Sequence, residues 1–73
     1  MATQIVMDHT GDSRYPFDPA DARELAEAER RFEKLTGAGF TAAARTATGE
    51  SRRISAFDSA VQETLFFPRL LGG

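Results

Sequence analysis

Apolar and polar positions change period along this chain in a way that divides it into short strands and one helix. Thr3-Gln4-Ile5-Val6-Met7 is rich in β-branched residues and predicts a first strand. The cluster Asp8-His9-Thr10-Gly11-Asp12 follows as a turn, with Gly11 able to take a positive φ. Ser13 to Phe17 alternates, placing Tyr15 and Phe17 on one side and Arg14 on the other, and predicts a second strand that closes a hairpin. Pro16 has no N–H to give to a ladder, so this strand belongs at a sheet edge.

The period then lengthens. Asp18-Pro19-Ala20-Asp21 predicts a helix start, with Asp18 as the cap, Pro19 at the first helical position and Asp21 against the positive end of the dipole. Leu25, Ala28, Phe32 and Leu35 recur at three- and four-residue steps as one apolar stripe. Glu24, Glu27, Arg31 and Lys34 fall off that stripe, with Glu27 and Arg31 spaced for a surface ion pair. Gly37 and Gly39 end the helix.

The period returns to two beyond them. Phe40 to Thr46 predicts a third strand and Arg52 to Phe57 a fourth, around the turn Ala47-Thr48-Gly49-Glu50. Asp58 to Glu63 is a connection, and Thr64-Leu65-Phe66-Phe67 is an apolar run suited to a central strand that Pro68 stops. Alternation puts Phe66 on one face of that strand and Leu65 and Phe67 on the other. The resulting order is strand, strand, helix, strand, strand, strand. An α+β fold with one helix packed across a mixed sheet follows, either a β-grasp or a split ferredoxin-like variant. The variant needs a helix after residue 50, where no helical period exists.

Size and composition narrow the functions open to such a fold. Seventy-three residues make one small domain, which buries only about 60% of its unfolded surface. The hydrophobic fraction of 41% excludes the disordered class. A formal charge of −2 argues against nucleic-acid or membrane-surface binding, which needs a basic field. There is no cysteine, hence no disulfide, thiolate metal site or thiol nucleophile. His9 alone builds no metal centre, and Asp8, Asp12, Asp18 and Asp21 lack the spacing of a calcium loop, so capping and turn roles are assigned to them. No apolar run approaches a membrane span of about 20 residues, and no secretory leader is evident. The expectation is a cytoplasmic protein that is not an enzyme and binds no cofactor or metal of its own.

Candidate chemistry concentrates at the end of the sequence. Residues 1–67 are expected to form the domain and residues 68–73 an extended tail, Pro68-Arg69-Leu70-Leu71-Gly72-Gly73. Glycine has no side chain to obstruct approach to its carbonyl, so a Gly-Gly pair can thread a narrow channel and present a carboxylate for activation.

The segments Gln4-Ile5-Val6-Met7, Thr10-Gly11 and Asp18-Pro19-Ala20-Asp21, with Glu63-Thr64-Leu65 and Arg69-Leu70-Leu71-Gly72-Gly73, resemble the ubiquitin-like β-grasp family. Phe66-Phe67-Pro68 is similar to bacterial β-grasp sulfur carriers such as the small subunit of molybdopterin synthase. The likeness covers both ends of the chain; residues 36–62 fit only as a strand hairpin.

The resemblance implies a ubiquitin-like β-grasp protein of ββαβββ order whose Gly73 carboxylate, preceded by Gly72, is adenylated with ATP by a ThiF-like or ubiquitin-activating enzyme. Arg69, Leu70 and Leu71 would be read by that enzyme, and Leu65 and Phe67 would form a partner patch on the outer sheet face. A modifier then passes through a partner's cysteine, by way of a conjugating enzyme, to target amines, and a peptidase can reverse the link. A sulfur carrier instead ends as a thiocarboxylate, and a non-covalent adaptor uses no tail chemistry. Lys34 is the only lysine and hence the only internal lysine acceptor.

Overall fold

A computed structural model describes residues 1–68 of the chain. The elements run β1 (Ala2–Asp8), β2 (Gly11–Phe17), α1 (Ala22–Gly37), β3 (Phe40–Arg45), β4 (Ser51–Ile54) and β5 (Glu63–Pro68). The five strands form one sheet in the order β2-β1-β5-β3-β4. β5 lies in the middle, parallel to β1 and antiparallel to β3, while both hairpins are antiparallel. One helix across this mixed sheet makes an α+β, β-grasp-like fold.

The helix stripe is the core. Ala28 and Phe32 are buried against the sheet, with Leu25 and Leu35 packed partly buried beside them. Under them lie Ala2, Val6, Phe17, Ala42 and Phe66, and the Phe32 ring meets Phe66 edge-on at 5.6 Å between centroids. Three successive alanines in β3 (Ala42, Ala43, Ala44) are buried, so a short side chain is what the crowded sheet centre accepts there. Pro16 sits in β2 at the sheet edge, opposite Thr3.

Local chemistry moved several expected boundaries. The cap is Asp21, not Asp18: its Oδ1 accepts from the N–H groups of Arg23 and Glu24 at 2.9 and 3.2 Å. The Asp18 carboxylate accepts from Ala20 N–H instead, so Pro19 sits in a turn ahead of the helix. Glu24 Oε1 accepts from the Asp18 N–H at 3.0 Å, tying the first helical turn to the turn ahead of it. At the far end, Ala38 N–H bonds back to Leu35 and Lys34, and Gly39 takes a φ of +103° to turn the chain into β3.

The first hairpin turn is tighter than expected, with Asp8 paired to Gly11 around His9-Thr10. β4 ends at Ile54 rather than running to Phe57. A bend at Ser55-Ala56 carries Phe57 off the strand and under the helix, where it packs on Phe17 and Phe32 at 6.2 and 5.9 Å. β5 spans Glu63–Pro68, with Pro68 opposite Phe40.

Glu27 and Arg31 do not pair. Arg31 turns under the helix, donating from Nη1 to Gln4 Oε1 at 2.7 Å, with its guanidinium 4.3 Å from the Tyr15 ring centroid. The Gln4 amide donates to Ala28 O at 2.9 Å, so this fully buried side chain joins β1 to α1. Among the described residues the ion pair present is Arg45–Glu63, at 3.6 Å on the exposed outer face.

Candidate functional site

Of the tail read from the sequence, Pro68 is described; Arg69, Leu70, Leu71, Gly72 and Gly73 lie outside the described residues. What the structure gives is their attachment point. β5 has a neighbour on each side, and its last residue pairs with Phe40 at the start of β3. α1 enters β3 through Ala38 and Gly39, so the last helical turn, which carries exposed Lys34, lies at the same end of the domain as Pro68. The β1–β2 turn shares that end, because β1 runs parallel to β5.

The outer sheet face is organised in rows. Arg14, Ile5, Leu65, Ala43 and Arg53 lie opposite one another across all five strands. Leu65 points away from the helix as alternation requires, yet it is only 7% exposed, and Ile5 and Ala43 are buried with it. Each has an apolar partner on its own row and side chains before and after it on its strand, so the row covers itself. Phe67, one step on, is 37% exposed. The expected patch of Leu65 and Phe67 is therefore corrected to Phe67 with a buried Leu65 behind it.

Beside Phe67 lies an open groove of about 660 Å³ with Phe40, Thr41, Arg53, Ile54 and Pro68 along its walls. It exists because β4 ends opposite Ala42, leaving Phe40 and Thr41 beyond the reach of β4 pairing. The groove thus adjoins the residue from which the tail continues.

The turn at the same end carries a shifted carboxyl, that of Asp8. The Thr10 hydroxyl and the Thr10 N–H both donate to Asp8 Oδ1, and these bonds hold the Asp8 carboxyl below its usual value. His9, between them, is exposed. Among the described residues no three His, Cys, Asp or Glu side chains converge as a metal site.

Two residues important to this geometry were missed by sequence reasoning, Gln4 and Arg31. The available signal was strand parity: Gln4 shares the inner face of β1 with Ala2 and Val6, so its amide had to find a partner under the helix. No helix among the described residues is long and apolar enough to cross a membrane. No family model matches this sequence, and no curated protein or solved structure matches it significantly.

Proposed function

We propose that this chain is a ubiquitin-like modifier that works through the Gly73 carbonyl. The observation that supports the reading is the sequence Gly72-Gly73, the fourth and fifth residues beyond Pro68 in the central strand of a β-grasp-like sheet. Gly73 serves as the acyl terminus either as translated or after a peptidase removes any residues beyond it.

In the proposed cycle a ThiF-like or ubiquitin-activating enzyme uses ATP. The Gly73 carboxylate attacks the α-phosphorus, forming acyl-adenylate and releasing pyrophosphate. A partner cysteine thiolate displaces AMP to give a thioester, and a target amine displaces the thiol and loses a proton to give an amide. The thiol must be the partner's, because this chain has no cysteine. Arg69, Leu70 and Leu71 guide the tail into the activating enzyme, and Phe67 with the adjoining groove gives that enzyme a surface beside the tail's root.

A second reading is favoured by Phe66-Phe67-Pro68: a sulfur carrier, in which a partner's cysteine persulfide displaces AMP from the same adenylate to give an acyl disulfide, and a second partner thiol attacks the cysteine sulfur, forming a disulfide with it and releasing the thiocarboxylate on Gly73. Incubation with the cognate activating enzyme and ATP, followed by intact mass, separates the two. Adducts joined through Gly73 to other proteins support the modifier; a mass gain equal to sulfur-for-oxygen exchange supports the carrier. Activity in the native host that survives deletion of Gly72 and Gly73 would leave only a non-covalent adaptor.

A further inference from the structure

The 73-residue chain holds two amine nucleophiles, the α-amine of Met1 and the side chain of Lys34, and the fold places them at opposite ends of the domain. Lys34 is exposed in the last turn of α1 and makes no ion pair among the described residues. The groove that it lines with Arg30 and Arg31 contains no carboxylate to hold its ammonium. Met1 is also exposed and directly precedes β1.

Distance from Pro68 separates the two. Pro68 stands opposite Phe40, Gly39 and Ala38 join Phe40 to α1, and Ala38 N–H bonds to Lys34 O at 3.0 Å. That path bounds the separation of the Pro68 and Lys34 Cα atoms at about 20 Å. Thr3, by contrast, stands beside Glu63 in the parallel ladder, which puts Met1 about 22 Å from Pro68 along the strand direction. Gly73 is the fifth residue beyond Pro68, and five residues span at most about 18 Å. The four-carbon stem of a lysine adds about 6 Å, so the Gly73 carbonyl can reach Nζ of Lys34 in its own chain with the fold intact. A backbone amine has no such stem, and Met1 stays out of reach.

We propose that Lys34 is an intramolecular acceptor: once Gly73 is carried as a thioester, a step that rests on the function proposed above, the chain closes on itself through a Gly73–Lys34 isopeptide bond. The Lys34 Nζ lone pair attacks the Gly73 carbonyl carbon, the carbon–sulfur bond breaks, and the departing thiolate takes the proton that the amine loses. A closed chain has used both its acyl group and its lysine, so it neither modifies a target nor extends a chain. A short linker gives an effective concentration on the order of 1 mM, so closure exceeds transfer to Lys34 of a second copy at about 10 µM by about 100-fold. Transfer to targets therefore requires that the partner carrying the thioester keep Lys34 away from it.

The test uses the 73-residue chain with Gly73 as a mercaptoethanesulfonate thioester, made without any activating enzyme and held at mildly alkaline pH. A product one water lighter than the free acid is expected, with Gly73 joined to Lys34 in the peptide map. It should form at the same first-order rate at about 10 µM and about 100 µM. Its ¹⁵N amide spectrum should keep the shifts of β1, β3 and β5, showing closure within the folded domain. Lys34→Arg, which keeps the charge of the last helical turn, should yield no closed product and still react with added free lysine. Closure onto Met1, transfer chiefly between copies at about 10 µM, loss of the sheet shifts in the closed product, or consumption of added lysine with no Gly73–Lys34 bond would each overturn the proposal. The thioester is made chemically, so these outcomes stand apart from the proposed function, whose failure shows as the absence of an adenylate in the activating-enzyme incubation.

Discussion

Replacing Gln4 by leucine keeps the space under α1 filled while removing both of its hydrogen-bonding groups. Gln4 is fully buried, donating to Ala28 O at 2.9 Å and accepting from Arg31 Nη1 at 2.7 Å. The Ala28 carbonyl is mid-helix and keeps its intrahelical donor, so that loss costs about 1 kcal/mol. The bond from Arg31 is charge-assisted, worth about 1.5–3 kcal/mol when buried, and about 1 kcal/mol here because Arg31 is only half-buried and rehydrates. Leucine recovers roughly 1–2 kcal/mol through apolar burial, so the single variant is expected near neutral to about 1 kcal/mol destabilised.

That net value does not isolate the contact, but a double-mutant cycle with Arg31→Met does, since methionine keeps much of the stem and removes the guanidinium. Urea unfolding of the four proteins, followed by circular dichroism, should give a coupling energy of about 1 kcal/mol. In a thermal melt this corresponds to roughly 4–8 °C for a domain of this size. The reasoning is refuted if the double variant loses the sum of the two single losses to within about 0.3 kcal/mol, because Gln4 and Arg31 would then act independently.

Two further outcomes follow from the local geometry. Asp21→Ala should destabilise the domain by about 1 kcal/mol, whereas Asp18→Ala should change it by less than about 0.5 kcal/mol; the reverse order in urea unfolding would restore Asp18 as the cap. The Asp8 carboxyl is held below its usual 3.8 by Thr10, so its contribution to stability is present above that value and is lost as pH falls through the lower folded value. Acid unfolding of Asp8→Asn should therefore show a smaller fall in stability at acidic pH than the parent chain, and an identical acid profile would count against the Thr10 bonds in solution.

The parts of the fold legible in the sequence are those set by short-range period. The stripe of Leu25, Ala28, Phe32 and Leu35 specifies a helix and the face it buries, and Pro16 marks an edge strand, because each signal needs only a residue's own covalent geometry. Asp18 and Asp21 were harder to separate because both precede helix formers. The structure separates them: Asp21 Oδ1 accepts from the N–H groups of Arg23 and Glu24, whereas Asp18 Oδ1 accepts from Ala20 N–H ahead of the helix. Phe57 left its expected strand because burial under Phe32 depends on a helix far away in sequence. The burial of Leu65 is likewise set by Ile5 and Ala43 on neighbouring strands, information that alternation does not contain. The candidate chemistry at Gly72 and Gly73 was legible only as residue type, since no packing constraint in the sequence bears on it.

The position of β5 suits the domain to the proposed chemistry at Gly73. Pulling on the tail loads a strand bonded to β1 on one side and to β3 on the other, so both ladders must shear before the domain yields. An edge strand in the same role would resist through one ladder only. In the proposed cycle, the central position would give the activating enzyme a firm anchor at Pro68 as it draws in the residues beyond.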